Sequence, residues 1–319
     1  MPAIITHHLF GCDVCARDST LVADGTERDA FLLGCQGPDP LFYAFAATTT
    51  PELRRLGTIL HTEKTAELLF ALKNATELLA PDERSIGRAY ALGFICHHAL
   101  DSTVHPWVFH CQQALCDAGV DGLTRENGTE VHTLIEADLD EMVLYVKRGE
   151  TIASFAAWRT ALPLTERALE VSSFVHAYLD MNVYGLSVSP LLFARSVRAY
   201  QQAQRMLHAP SPLKRRVLAG LERLVRPYSL YDAMSPRARA HAESDFDNRE
   251  HHAWIDPFTG RTRTEGFWDL YDRALDLAGE RLAMYDQAEF DLDAARRMTG
   301  GRDFHGRPLD AFILAVDED

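Results

Sequence analysis

Three metal-binding side chains in the segment Gly93–Trp107 recur every four residues: His97, Asp101 and His105. On an α-helix a spacing of four residues returns a side chain to the same face, about 6 Å further along the axis, so the three line one stripe. The carboxylate in the middle has two oxygens, one to share a metal with His97 and one to reach a second ion. A plainer reading makes Asp101 a solvated polar residue and the histidines incidental. The flanks weigh against it, because Phe94, Ile95, Cys96, Ala99, Leu100, Val104 and Trp107 surround the stripe. A carboxylate in such company stays charged only if it is paired or coordinated. His98 lies off the stripe and reads as a residue behind the ligands or on the surface. A second His–carboxylate pair, His132 and Glu136, repeats the four-residue spacing, and the acidic run Asp138, Asp140 and Glu141 beside it reads as a solvated face. Eight of the fourteen histidines precede residue 137, which weakens chance as an account of the set.

The elements that must position these residues are helices. Apolar residues recur with helical period over Pro51–Leu79, Asp82–Val104, Thr129–Lys147, Leu164–Met181, Pro190–Leu207, Pro212–Leu224 and Glu265–Ala288, with Pro or Gly between the runs. No alternating β-branched run competes, so the chain reads as all-α. Pro106 biases His105 away from helical geometry, which predicts a helix end at the last residue of the stripe. Two stretches break the period, Gly34–Thr50 and Ser235–Thr264, and both read as loops. The expected organisation is one large all-α domain over residues 1–319, with the metal-ligand half at 1–150 and a helical completion at 151–319. Glu150–Ser154 is the candidate boundary.

Composition excludes several classes. A net charge of −14 argues against a general nucleic-acid binder, which needs a cationic surface to displace counterions. It leaves open a phosphodiesterase whose positive charge is supplied locally by bound cations. With 47% hydrophobic and 24% charged residues the chain has the balance of a globular protein, and no apolar run approaches the roughly 20 residues that span a bilayer. The N-terminus places His7 and His8 where a signal peptide carries its apolar core, so the expected compartment is the cytoplasm. The six cysteines are accordingly expected as reduced, mostly buried thiols. The pair Cys12/Cys15 is half of a zinc-ribbon pattern, but its other half would be Cys111/Cys116, at the wrong spacing.

Taken together, His97-x3-Asp101 with a further His at 105, then His132-x3-Glu136, resembles the ligand pattern of the bacterial zinc-dependent phospholipase C family, shared with single-strand nucleases of the same fold. The segments Ile5-Thr6-His7-His8, Gly37-Pro38-Asp39-Pro40 and Leu60-His61-Thr62-Glu63 resemble the remaining ligand segments, and the match covers about residues 2–145. The resemblance implies a multi-helix bundle of that type and two or three Zn2+ per chain. One ion would be held by Asp39, His61, His97 and Asp101, and a second by His105, His132 and Glu136. A third would sit on His7 and the free oxygen of Asp101, completed by Pro2 if Met1 is removed; His8 is an alternative to His7. The Asp101–His105 spacing is similar to that of the intracellular branch of the family.

The implied activity is hydrolysis of a phosphodiester or phospholipid, with zinc lowering the pKa of a bound water and stabilising charge on the phosphorane. Asp39 would serve as general base if one oxygen stays free of metal, or its Pro-Asp-Pro setting is a structural turn. No stable nucleic-acid complex is expected. Other readings stay open: a non-catalytic, metal-stabilised helical binding protein, or a nuclease-like phosphodiesterase. A di-iron carboxylate bundle ranks last, because the ligand set is rich in histidine and Glu-x-x-His pairs are absent. Further on, the segment Asp245–His252 with Trp254 reads as a polar loop rather than another metal site, with Arg249 as a candidate phosphate contact. The cationic run Leu213–Arg226 is read as a solvated helix face.

Overall fold

The computed structural model describes residues 4–23, 25–119, 124–162, 164–208, 238 and 240–309. They are mostly helical. The helices are α1 (Ile4–Arg17), α2 (Gly25–Gly34), α3 (Leu56–Thr62), α4 (Thr65–Glu77), α5 (Arg84–Cys116), α6 (Gly128–Arg148), α7 (Ala157–Thr160), α8 (Glu166–Tyr184), α9 (Leu192–Leu207), α10 (Phe267–Tyr285) and α11 (Leu292–Thr299). A two-stranded antiparallel hairpin, β1 (Trp254–Ile255) with β2 (Thr262–Arg263), interrupts the loop expected over Ser235–Thr264. Among the described helices none is long and apolar enough to cross a membrane. The six cysteines are free thiols, five of them buried. The expected helix over Pro212–Leu224 and the cationic run Leu213–Arg226 lie outside the described residues.

The chain divides into two compact units, and neither coincides with a half of the sequence. The first comprises Phe10–His105, Leu162–Gln201 and Tyr271–Asp319; the second comprises Met1–Leu9, Pro106–Ala161 and Gln202–Leu270.

In the first unit α4 packs against α8 and α11, and α2 against α8. The approach of α2 to α5 is set by two glycines. A β-carbon on Gly93 would lie 2.0 Å from the Phe31 carbonyl oxygen, and one on Gly34 would lie 2.1 Å from that of Tyr90. Only hydrogen fits at either position, so the helix carrying His97 runs in backbone contact with α2. Around this crossing Phe31, Leu33, Tyr90, Phe94, Leu179, Phe193 and Phe304 are buried. Each stabilises the fold by about 1.5–3 kcal/mol through removal of apolar surface from water. His176 belongs to this core, not to any metal stripe. Its ring stacks on Phe193, its Nε2 lies 2.6 Å from the Tyr90 hydroxyl, and burial pushes its pKa down to about 3.

Two helix boundaries differ from the periodicity. The run Pro51–Leu79 is not one helix: a short 3-10 turn at Leu53–Arg55 leads into α3, and the chain then corners at Lys64 (φ 52°) before α4. The corner directly follows His61 and is tied to the end of α8. Lys64 Nζ donates to the Val183 carbonyl at 2.8 Å, and the Tyr184 hydroxyl donates to that of Glu63 at 2.9 Å. The second difference concerns Pro106, which does not end its helix. It lies inside α5, which continues to Cys116. A proline deprives the helix of one amide donor and kinks it, and tertiary packing of the apolar residues on either side outweighs that cost here.

In the second unit the start of α1 is anchored by a carboxylate from α6. Asp140 accepts hydrogen bonds from the Ile5 amide at 3.1 Å and the Thr6 amide at 2.7 Å, supplying partners for donors that the first turn of a helix leaves unpaired. Helix α6 ends in the way its sequence announces, with Lys147 and Arg148 in the last turn and Gly149 at φ 65°.

Candidate metal centre

Four sequence-predicted residues of the first unit converge. His97 and Asp101 come from α5, His61 from the end of α3, and Asp39 from the first residue of a 3-10 stretch, Asp39–Ala46, that begins after Pro38. The His97 Nε2 lies 3.0 Å from Asp101 Oδ2, and His61 Nε2 lies 3.3 Å from Asp39 Oδ1 and 3.9 Å from Asp101 Oδ2. His61, His97 and Asp101 each offer an atom within 4.8 Å of the others', a separation that one ion can bridge. All four residues are at most 5% exposed.

Hydrogen bonds settle which ring nitrogen faces the centre. His61 Nδ1 lies 2.6 Å from the Gly57 carbonyl oxygen, one helical turn earlier, and His97 Nδ1 lies 3.1 Å from that of Cys35. A carbonyl accepts only, so each Nδ1 carries a hydrogen and each Nε2 is the nitrogen turned toward the carboxylates. Lone pairs facing carboxylate oxygens in a buried space repel unless a proton or a cation lies between them. Backbone carbonyls fixing the outer nitrogen are the usual support of metal-binding histidines.

The loop that delivers Asp39 is shaped for His97. Gly37 has φ 51°, and a β-carbon there would lie 2.3 Å from the His97 ring. Glycine thus provides both the left-handed turn and the room for the imidazole.

His105, the third residue of the stripe, also faces Asp101, with Nδ1 3.7 Å from Oδ2. The same Nδ1 is 3.0 Å from the Phe304 carbonyl oxygen, the nearer and better acceptor. The segment after α11 therefore matters, and nothing in the spacing of the expected ligands pointed to it. Phe304 is fully buried, its amide donates to the His61 carbonyl at 3.1 Å, and its ring lies against those of His61, His97 and His98. His305 stacks near His61 and lies edge-on to His105, with ring centroids 6.1 and 5.7 Å apart. The one sequence signal was the turn chemistry of Gly300-Gly301-Arg302-Asp303-Phe304-His305-Gly306, next to the end of the chain.

His98 is not on the surface. It is fully buried, with Nδ1 2.8 Å from the Arg281 guanidinium and Nε2 3.3 Å from the Arg302 carbonyl oxygen. Burial, and then the Arg281 charge, hold its pKa well below the usual imidazole value, so it is neutral and accepts from Arg281. Burial also lowers the Arg281 pKa, to about 9.

The remaining expected ligands belong to the second unit. His7 is buried on α1, and His8 beside it packs on Phe155. His132 and Glu136 are paired on α6, Nε2 to Oε1 at 3.3 Å, and His132 Nδ1 is 3.0 Å from Gln112 Oε1. The same support recurs here, an oxygen acceptor fixing Nδ1 and turning Nε2 toward a carboxylate. Pro2 lies outside the described residues.

Two readings of the second unit need correction. The acidic run on α6 is not a solvated face: Asp140 and Glu141 are buried and Asp138 is half-buried. In the polar loop, Arg249 is engaged by its neighbours, bonding Asp247 through Nε and Nη2 at 2.9 and 2.6 Å, Glu243 at 2.8 Å and the Ala242 carbonyl at 2.7 Å. Its donors are directed into the loop, which leaves little of the fork for a phosphate.

No protein-family model matches the chain, and no curated protein or solved structure is significantly similar to it.

Proposed function

We propose that this chain is a metal-dependent phosphodiester hydrolase of the phospholipase C-like type, with zinc as its ion. The observation that supports the reading is the convergence of Asp39, His61, His97 and Asp101 with both histidine Nδ1 atoms committed to backbone carbonyls. Two imidazole nitrogens and two carboxylates form a donor set suited to zinc and poor for magnesium or calcium, which prefer oxygen alone. When bound, such an ion activates water and stabilises charge developing on a phosphoryl group. Within this reading the protein's own contribution is positional. His61 and His97 are oriented by backbone carbonyls, Asp101 sets the charge of the stripe, and Asp39, at the start of its 3-10 stretch, takes the proton from attacking water. The further ions implied by the family resemblance belong to the same proposal and are read out by stoichiometry.

A second reading has an observation in its favour. Four protein ligands, all deeply buried, are the mark of a closed structural site, whereas catalytic sites keep a position open. On that reading the chain is a metal-stabilised binding protein. The deciding experiment measures zinc content and hydrolysis together, on protein purified without chelator or affinity-tag metal. A phosphodiester nitrophenyl ester, phosphatidylcholine vesicles and single-stranded oligonucleotides serve as substrates. Metal-dependent turnover of any of them supports the hydrolase and names its branch. Firmly held zinc with no turnover of all three supports the structural site, and no zinc after reconstitution overturns both.

A further inference from the structure

Apart from the expected metal ligands, the second unit contains another group of metal-binding side chains. Asp138 and Glu141 lie three residues apart on α6, on the side of the helix that faces the segment 240–250. His241 comes from that segment. One ligand atom from each lies within 4.8 Å of the other two. The His241 Nδ1 closely contacts the Glu243 carbonyl oxygen, so it carries a hydrogen and Nε2 is the nitrogen turned toward Glu141. That Nε2 is buried, has no hydrogen-bond partner among the described residues, and lies 3.6 Å from Glu141 Oε2. The distance is too long for a hydrogen bond and suits two donor atoms at neighbouring positions of one tetrahedral ion. The segment is held in register independently of His241: Ser244 Oγ donates to Asp138 Oδ2 at 2.6 Å, and Trp107 Nε1 donates to the Phe246 carbonyl at 2.7 Å.

We propose that Asp138, Glu141 and His241 form a further site for a divalent ion of the zinc class, separate from the Asp101 centre. One nitrogen and two carboxylate ligands leave at least one coordination position to an exchangeable ligand. The surroundings provide access for it, because Asp138 and His241 line a cleft of about 670 Å³ whose walls include Trp107, His110 and Trp254. An ion here also ties the 240–250 segment to α6, over a separation of about a hundred residues in the chain. Its contribution to stability is therefore that of a cross-link as well as a site.

The test counts metal in the full chain equilibrated with buffered zinc, comparing wild type with His241→Ala, Glu141→Gln and Asp101→Asn. His241 lies on a loop and its truncation spares the core, while Glu141→Gln preserves the shape of a buried side chain. The expected result is one equivalent fewer in each of the first two variants, and retention of that same equivalent in Asp101→Asn. Replacement by cobalt should give a wild-type spectrum with a component that is lost in His241→Ala and kept in Asp101→Asn. Equal metal content in wild type, His241→Ala and Glu141→Gln would overturn the site. Failure of the hydrolase reading, with no turnover or no Asp101-dependent metal, leaves the His241-dependent equivalent in place, so the two outcomes are distinguishable.

Discussion

The Asp101 centre and the Asp138 corner use the same donor chemistry but are assembled differently. In the first, two of the four residues sit one helical turn apart on α5, and the other two come from the start of the 3-10 stretch after Gly37 and from the end of α3, before the corner at Lys64. In the second, two carboxylates on α6 meet a histidine that the chain returns only after about a hundred residues. The first is buried throughout; the second borders a cleft, with its histidine on a loop and Asp138 held by Ser244 of that loop. A buried centre with oriented histidines binds its ion at low reorganisation cost and yields it slowly, whereas a half-open one exchanges ion and ligand more readily.

The comparison can be broken most severely at Asp101. Asp101→Asn keeps the shape of the side chain and removes the charge, and the expected outcome is loss of at least one zinc together with a fall in phosphodiester hydrolysis of about 100-fold or more. Elemental analysis and a turnover assay on the same sample check it; unchanged metal and rate would remove the centre from consideration. Phe304→Ala asks whether the C-terminal segment supports the first centre. Deleting a fully buried aromatic ring should cost about 3–5 kcal/mol in denaturant unfolding and weaken zinc binding by the Asp101 centre, leaving the His241-dependent equivalent unchanged.

Asp180 sharpens the contrast, since it is a buried carboxylate of the first unit that belongs to no metal-binding group among the described residues. Burial pushes its pKa up to about 7 from 3.8. Below the lower value both folded and unfolded chains carry the proton. Between the two, the unfolded chain ionises while the folded one does not, so this residue makes stability fall as pH rises toward 7, by roughly 4 kcal/mol at most. Asp180→Asn should flatten that slope and raise the melting temperature at pH 8; a lower melting temperature there would show that Asp180 is ionised and stabilising in the fold. The smallest effect is expected at Gln112, whose side-chain oxygen fixes His132. Gln112→Ala should weaken metal held through His132 and Glu136 by about tenfold, measured by competition with a chromogenic chelator, with no change at His61 and His97.

Much of the first centre was legible because it rests on local rules. Four-residue spacing on α5 is enough to put His97, Asp101 and His105 on one face, and apolar flanks are enough to require that Asp101 be paired. The helical class followed from the same periodicity. The misreadings came where packing outweighs a local preference. Pro106 stays inside α5, the long periodic run Pro51–Leu79 breaks at Lys64, and the acidic residues after Glu136 turn inward because α1 and the 240–250 segment cover them. A charge run carries no mark of which face it will occupy until its neighbours in space are known.

By itself, then, the sequence determined a helical chain, the ligand types on α5 and α6, and their angular relation, since these depend only on helix geometry and residue chemistry. Asp39 and His61 were expected beside that stripe only through the family resemblance, and it is the tertiary structure that brings them there; it alone decided that Phe304 would close over the histidines, and that His241 would meet Asp138 and Glu141. Those meetings depend on chain reversals and on close approaches such as Gly93 against Phe31. Their energies come from contacts distant in sequence, and no periodicity along the chain encodes which partner will be there.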